Sequence, residues 1–300
     1  MRIPFNRPPV TGHELSYISD VIDRHHLSGD GHYTKLCQRW LQDRLGSAAA
    51  RLTHSCTGAL EMAAMLLDLA PGDEIIMPSF TFVSTANAFV LRSAVPVFVD
   101  IRADTLNIDE TLIEQAITPR TKAIAVVHYG GVCCEMDSIE EIANHYGLMV
   151  VEDAALAFLS KYRGRLAGSL SGLSCFSFHE TKNVVSGEGG ALVMNDERFV
   201  DRADIIREKG TNRVKFRNGL VDKYTWVDIG SSYLPGEIVA AYLWAQLEEV
   251  DEFTSRRRHI WERYHEAFAP LEDEGRLRRP VVPEHCFHNG HLYYLLMQDR

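Results

Sequence analysis

The chain has 300 residues, 46% of them hydrophobic, with a formal net charge of −10. This length suits one large domain with at most a small second one, and the acidic balance excludes a general binder of nucleic acids or anionic membranes. The six cysteines form no Cys-x-x-Cys pair, and several lie in apolar runs, so we expect buried thiols in a reducing cytoplasm. We expect no signal peptide, membrane span or metal site.

Periodic apolar residues predict two helices near the start of the chain. The first covers residues 14–26, and the second is capped by Thr34 and ends at Gly46. A third helix follows the small, hydroxyl-bearing run 55–58. A helix N-terminus has unpaired N–H groups and a positive dipole end, which suits a phosphate. The alternative is an ordinary capped helix, since Ser and Thr are common N-caps.

Strands and helices then alternate. The Val/Ile/Leu runs are continuous, which indicates strands covered on both faces in a mostly parallel sheet. Active sites of such sheets lie at the carboxyl ends of the strands, where Asp153, His128 and residues 177–182 fall. A functional and a structural role for His128 are equally open. The predicted strands are 74–77, 96–100, 123–128, 148–152 and 191–194, and the predicted helices are 109–116, 136–146, 196–209 and 253–271.

The stretch SCFSFHETKNVVSGEGG, residues 174–190, contains the strongest catalytic candidate. It begins as a buried strand and breaks at Lys182 before a glycine turn. Burial lowers an ammonium pKa, and the free amine can form an imine with a carbonyl. A single lysine is more often a solvated loop residue. Combined with an acid at a strand end, a small-residue helix N-terminus and an aromatic after a strand, however, Lys182 meets the needs of pyridoxal phosphate (PLP).

Four motifs resemble the DegT-type family of nucleotide-sugar aminotransferases, which has the aspartate-aminotransferase (type I) fold. They are EDAA at 152–155, SFHETKN at 177–183, SGEGG at 186–190 and PSFTFVSTANAF at 78–89. The resemblance covers essentially the whole chain. It implies an α/β PLP-binding large domain, with a mostly parallel sheet between helices, over residues 1–250. Residues 251–300 would start a small α+β C-terminal domain that appears incomplete beside the family.

The resemblance also implies roles for individual residues. Lys182 would bind the cofactor and move the proton between cofactor and sugar carbons, and Asp153 would pair with the pyridine nitrogen. Leu156 stands where the family usually has Gln or His, so it keeps the apolar contact with the ring and loses a hydrogen bond. Ser232 would reach the phosphate of the partner subunit, which implies a homodimer with shared sites. The remaining implied cofactor contacts are Thr57, Gly58 and Ser177 at the phosphate and Phe82 stacked on the ring.

Three further stretches resemble one subgroup: SGDGHYT at 28–34, REKGTNR at 207–213, and residues 221–234, which begin with VDKYTW and end with DIGSSYL. That subgroup uses L-glutamate to aminate dTDP-4-keto-6-deoxy-D-glucose to dTDP-4-amino-4,6-dideoxy-D-galactose for surface polysaccharides such as lipopolysaccharide or enterobacterial common antigen. One alternative is an aminotransferase for another keto sugar nucleotide. A second is a catalytically impaired PLP-fold binding protein, motivated by Leu156 and the short C-terminus, although the intact Lys182 and Asp153 argue against it. A dehydrogenase is disfavoured because no G-x-G-x-x-G follows a strand.

Overall fold

The computed structural model describes residue 4 and residues 6–297, and a seven-stranded sheet lies at its centre. The strands, in chain order, are β1 Ala49–Thr53, β2 Glu74–Pro78, β3 Val95–Val99, β4 Thr121–Val127, β5 Met149–Asp153, β6 Lys161–Tyr162, β7 Arg165–Leu166, β8 Leu173–Ser177, β9 Gly190–Met194, β10 Leu277–Arg278, β11 Cys286–Phe287 and β12 Leu296–Met297. The central sheet has the order β1-β9-β8-β5-β4-β2-β3. Its strands run parallel except β9, which is antiparallel to both neighbours. The predicted α/β class and mostly parallel sheet are confirmed.

Helices cover both faces of this sheet. Successive side chains of a strand point to opposite faces, and Ile76 of β2 belongs to one hydrophobic core while Ile75 and Met77 belong to another. This explains the continuous apolar runs in the sequence. The helices are α1 Glu14–Asp23, α2 His32–Leu45, α3 Cys56–Leu66, α4 Val83–Val90, α5 Met136–Tyr146, α6 Val200–Arg207, α7 Arg213–Arg217, α8 Glu237–Glu248 and α9 Val250–Asp273.

Two segments that were predicted as continuous helices contain 3-10 turns instead. Residues 109–116 form two separate 3-10 turns, Glu110–Leu112 and Glu114–Ala116, and the backbone becomes extended at Ile117, with ψ of 131°, two residues before Pro119. Residues 196–209 divide into a 3-10 turn and α6, which ends at Arg207, since Lys209 adopts a left-handed backbone with φ of 66°. Prediction of α5 over residues 136–146 is confirmed.

The predicted cap of α2 is also wrong. Thr34 lies inside the helix, and the buried carboxylate of Glu237, from α8, caps it instead. This carboxylate accepts hydrogen bonds from the backbone N–H groups of Gly31, Tyr33 and Thr34, at 3.0, 2.8 and 3.2 Å. Local sequence cannot show such a cap, because the two elements are about 200 residues apart.

The predicted domain boundary at residue 250 falls at the start of α9. Beyond it, β10 pairs with β12, and β11 joins the β6–β7 hairpin from the predicted large domain. The two ends of the predicted domains, residues 1–3 and 5 and residues 298–300, lie outside the described residues. The division into two domains stays a prediction. Over residues 6–297, no helix combines the length and apolar character needed to cross a bilayer.

Glu152, the next-to-last residue of β5, is fully buried, and its carboxylate binds the loop that precedes β8. Its Oε1 accepts hydrogen bonds from the N–H groups of Leu170 and Ser171, at 2.9 and 2.8 Å, and its Oε2 accepts one from His128 Nε2 at 3.0 Å. The other ring nitrogen of His128 accepts from the N–H of Cys134 at 3.2 Å. Both nitrogens of this buried imidazole are therefore engaged in the core, which favours the structural role for His128.

We expect Glu152→Gln to destabilise the fold by about 3–5 kcal/mol, because a side-chain NH₂ would then face backbone donors. Burial raises the pKa of Glu152, but the hydrogen bonds and His128 outweigh it, so the pKa lies below its usual 4.5. The carboxylate's contribution is therefore full above pH 4.5 and disappears as the pH falls through the lowered pKa. Urea unfolding at pH 7 and pH 4 measures both effects. A Glu152→Gln protein as stable as the wild type at pH 7 would contradict this role.

Candidate active site

A cavity of about 630 Å³ opens at the carboxyl ends of the parallel strands, within the usual size of small-molecule sites. The ends of β2, β4, β5 and β8 and the N-terminus of α3 form its walls. The structure brings most of the predicted cofactor contacts into this one cavity, while Gly58 and Ser232 lie outside its lining. The predicted residues that line it are Thr57, Phe82, Asp153, Leu156, Ser177 and Lys182.

Lys182 lies on the connection between β8 and β9 and is half-buried. Its backbone N–H donates to the His179 carbonyl at 2.9 Å. Burial lowers the pKa of the Lys182 ammonium, and the nearby Cys56 and Asp153 only partly oppose this effect. A lowered pKa increases the fraction of free amine, which is the form that attacks a carbonyl.

Asp153, the last residue of β5, presents a buried carboxylate to the cavity. Its Oδ2 accepts a hydrogen bond from Thr85 Oγ1 at 2.7 Å, and its Oδ1 accepts one from the N–H of Ala155 at 3.1 Å. Burial raises the pKa of Asp153, while both donors and the charge of Lys182 oppose that rise. A buried carboxylate of this kind gains most from a cationic partner such as a protonated ring nitrogen.

Thr85 is a site residue that sequence reasoning missed. It is fully buried in α4, and its hydroxyl also lies 2.8 Å from Thr81 Oγ1, so two hydroxyls connect the cavity wall to Asp153. Thr85 belongs to the motif PSFTFVSTANAF, within which the family resemblance implies a cofactor contact only for Phe82. It stands 68 residues from Asp153 in the chain, so no local pattern connects them.

We expect Thr85→Val to slow the glutamate half-reaction by about tenfold at pH 7, the equivalent of one hydrogen bond to a charged group. Loss of a donor to the carboxylate raises the Asp153 pKa further, so the acid limb of the pH–rate profile should move to higher pH. Thr85→Ser keeps the hydroxyl and serves as the control. A Thr85→Val profile identical to that of Thr85→Ser would contradict the role.

The N-terminus of α3 combines a helix cap with a hydroxyl cluster. Ser55 is the N-cap, and its Oγ accepts a hydrogen bond from the N–H of Gly58 at 3.0 Å. Thr57 Oγ1 lies 2.8 Å from Ser84 Oγ at the cavity wall. The first residue of β9, Gly190, approaches so closely that a Cβ there would collide with the Ser55–Cys56 backbone. The ordinary cap is thus present, and Thr57 and Ser84 remain at the cavity for an anion.

The other predicted contacts occupy different environments. Phe82 is 74% exposed although it lines the cavity, so its ring face is available to a ligand. Leu156 is half-buried, and Ser177 Oγ accepts a long hydrogen bond, 3.4 Å, from the N–H of His179. Ser232 is exposed, forms a β-bridge with Glu208 and does not line the cavity of its own chain. The roles assigned to these residues stay predictions.

PLP has four chemical requirements, and the cavity offers a group for each. They are an amine for the aldehyde, a carboxylate for the ring nitrogen, hydroxyls at a helix N-terminus for the phosphate and an aromatic face for the ring. The residues of the cavity lining that could supply these groups are, in that order, Lys182, Asp153, Thr57 and Phe82. Among the described residues, no group of three or more His, Cys, Asp or Glu side chains could hold a metal ion.

Comparison with known proteins agrees with this chemistry. Residues 10–300 match the sequence model of the DegT/DnrJ/EryC1/StrS aminotransferase family. The chain is 34% identical over 304 residues to the spore coat polysaccharide biosynthesis protein SpsC of Bacillus subtilis (strain 168), covering 99% of this chain and 76% of that protein. It is 36% identical over 263 residues to GDP-perosamine synthase of Escherichia coli O157:H7, covering 87% of this chain and 70% of that protein.

The fold is also similar to solved structures of sugar aminotransferases. The PLP-form of Spr1654 from Streptococcus pneumoniae superposes with a TM-score of 0.89 at 28% identity, covering 99% of this chain and 79% of that one. Fold, cavity chemistry and sequence thus agree on a type I PLP enzyme. The chain therefore belongs to the DegT/DnrJ/EryC1/StrS aminotransferase family and catalyses PLP-dependent transamination of a nucleotide-linked keto sugar.

Proposed function

We propose that this enzyme aminates dTDP-4-keto-6-deoxy-D-glucose to dTDP-4-amino-4,6-dideoxy-D-galactose, with L-glutamate as the amino donor. The transamination chemistry is carried by one observation: the Lys182 amine and the Asp153 carboxylate line the same cavity. The choice of sugar is supported by the motifs SGDGHYT, REKGTNR and VDKYTW. Two of these motifs meet in the fold, because Arg207 Nη2 lies 2.6 Å from Asp30 Oδ1 in a largely buried ion pair.

Each cavity residue has a defined task in this reaction. PLP, when bound, supplies an electron sink for the carbon that carries the amino group. Asp153 would keep the ring nitrogen protonated, with its carboxylate oriented by Thr85 and the N–H of Ala155. Lys182, whose lowered pKa favours the free amine, would accept a proton from the donor carbon and return it during the transfer.

The remaining residues would bind and orient. The N-terminus of α3 and the Thr57 hydroxyl would hold the phosphate, assisted by Gly58 and Ser177. Phe82 and Leu156 would cover the ring with apolar surface and exclude water. Leu156 offers no side-chain hydrogen bond to the ring substituents, so the ring's orientation would depend on Asp153 and Lys182.

A homodimer is part of this proposal. Ser232 is exposed and does not line its own cavity, which fits a residue that serves a partner subunit. Exposed apolar side chains also lie at both ends of α4, the helix that follows Phe82, including Val83 at 62% and Leu91 at 67% exposure. Sedimentation should give twice the chain mass of 33.8 kDa. A monomer with full activity would contradict the proposed role of Ser232 in a partner subunit.

We further propose that the enzyme acts in the cytoplasm.

A second candidate substrate is a GDP-linked keto sugar, because one relative at 36% identity is a GDP-perosamine synthase. The experiment supplies PLP, L-glutamate and either dTDP-4-keto-6-deoxy-D-glucose or its GDP-linked counterpart, and follows 2-oxoglutarate and product mass. We expect the dTDP sugar to have the higher kcat/KM by about tenfold or more. A preference for the GDP sugar would replace the first candidate with the second.

Two further outcomes separate the enzyme from a binding protein. A glutamate-dependent change in the cofactor spectrum without turnover of either sugar would indicate another keto sugar nucleotide. No such change in folded, PLP-loaded protein would favour the catalytically impaired binding protein and overturn the proposed reaction.

A further inference from the structure

The turn at residues 288–291, His-Asn-Gly-His, lies outside the cavity lining yet is largely buried. His288 is 6% exposed and Asn289 is 0% exposed. Gly290 has a φ of 66°, and a Cβ there would lie 2.8 Å from the Arg257 carbonyl carbon of α9. The turn is therefore pressed between α9 and the loops that follow the sheet, where a larger residue than glycine would not fit.

One side of this turn contacts the connection between β8 and β9, residues 178–189, which carries Lys182 and is called the lysine loop below. Asn183, the residue after Lys182, is 3% exposed and donates from Nδ2 to the Asn289 carbonyl at 3.0 Å. Its Oδ1 lies 2.9 Å from Nδ1 of His291. Arg257 Nη2 donates to the Lys182 carbonyl at 3.2 Å. The backbone of the lysine and the side chain of its neighbour are thus both fixed from the C-terminal segment.

The other side of the turn holds the segment that follows Asp153. Asn289 Nδ2 donates to the carbonyls of Leu156 and Phe158, each at 2.9 Å. Its Oδ1 accepts from the N–H of His291 at 3.0 Å, which locks the amide in this orientation. The Asn289 side chain therefore links the segment that follows Asp153 to His291, and His291 in turn contacts the lysine loop.

The hydrogen bond between His291 and Asn183 does not depend on pH in the working range. Burial and the positive charges of Lys182 and Arg257 lower the His291 pKa to about 3, so the imidazole is neutral. A neutral imidazole has one N–H, and the acceptor Asn183 Oδ1 assigns it to Nδ1.

We propose that Asn289 and His291 are positioning residues that set the placement of Lys182 relative to Asp153, with His291 acting on Lys182 through Asn183. This inference rests on the proposed roles of Lys182 and Asp153. A misplacement of reacting groups by about 1 Å slows catalysis by about 100-fold, so a bridge between the two segments has a direct effect on rate.

The test compares full-length variants loaded with PLP. His291→Leu removes the donor, and His291→Asn keeps an N–H group near the position of Nδ1. His285→Leu is the matched control, since His285 is half-buried in the same segment and contacts Glu135 instead of the lysine loop. The measurements are the urea unfolding free energy, the visible absorption of lysine-linked PLP, and kcat and KM for the glutamate half-reaction.

We expect His291→Leu to lower kcat of the half-reaction by about 10- to 100-fold and to alter the absorption band, with KM less affected. His291→Asn should recover most of the rate, and His285→Leu should lose stability without these changes. Adding Asn183→Ala to His291→Leu should slow the reaction by a smaller factor than Asn183→Ala does in the wild type, because both substitutions remove the His291–Asn183 hydrogen bond and only the Asn183–Asn289 bond is then left to lose.

Three results would overturn the inference. Equal kinetic effects of His291→Leu and His285→Leu would make the turn merely stabilising. Multiplicative effects of the Asn183 and His291 substitutions would remove the path through Asn183. A wild-type protein that shows no lysine-linked absorption would overturn the proposed function, and this inference with it.

Discussion

Lys182→Ala should slow transamination by about 10⁴-fold, the upper end of what a positioned acid–base group contributes. In the proposed reaction, the substitution would remove both the covalent attachment of the cofactor and the proton carrier at the cavity wall. The described lining of the cavity contains no second lysine that could replace it. The measurement is the glutamate half-reaction followed by absorbance, together with the spectrum of bound PLP.

Two controls separate chemistry from folding. Lys122→Ala changes an exposed lysine on β4 and should leave the rate unchanged. Alanine at position 182 leaves space in the cavity, so a small primary amine added to the solution should restore part of the proton transfer. A Lys182→Ala protein with a rate within tenfold of wild type would contradict the assignment of the catalytic base.

Asp153→Asn should slow the half-reaction by about 10²- to 10³-fold, similar to the loss of one electrostatic contact to a reacting centre. The amide has nearly the same shape, and its oxygen can still accept from Thr85 Oγ1. The negative charge that would keep the ring nitrogen protonated is lost, so the ring becomes a weaker electron sink. Rate, PLP affinity and the nitrogen-15 chemical shift of labelled PLP measure the effect.

Asp251→Asn is the matched control for Asp153→Asn. It removes the charge of an exposed aspartate that pairs with Arg44 on α2, far in sequence from the site residues. We expect its rate to equal that of the wild type, because exposed ion pairs contribute little. An unchanged nitrogen-15 shift in Asp153→Asn would show that the carboxylate does not protonate the ring, whatever the rate.

The sequence located Lys182 and Asp153 because both follow strands that are visible as local apolar runs. In a parallel sheet the ends of neighbouring strands converge at one edge, so residues after β5 and β8 meet without any knowledge of the contacts between them. The boundaries of the five predicted strands differed from the observed ones by one or two residues, as for β5, which begins at Met149 and ends at Asp153, whereas those of the helices α1 and α9 differed by up to three.

Contacts between distant segments could not be predicted from the sequence. Thr85 reaches Asp153 from a helix, and Glu237 caps a helix about 200 residues earlier in the chain. Both depend on how elements pack, which no local period encodes. The resemblance to a family predicts which residues face the cofactor, but it does not point to Thr85, Asn289 or His291, whose contacts are with other residues of the chain.

The close approach of Gly190 to the backbone of Ser55 and Cys56 acts as a spacer of fixed length. The loop that carries Lys182 ends at Gly190, and the hydroxyl cluster begins at Ser55, so this main-chain contact holds the end of that loop against the start of α3. The aldehyde and the phosphomethyl group of PLP are attached to neighbouring ring carbons, so the distance between them stays within a narrow range. A main-chain contact that joins the two candidate binding segments would suit such a ligand, whatever sugar the rest of the cavity accepts.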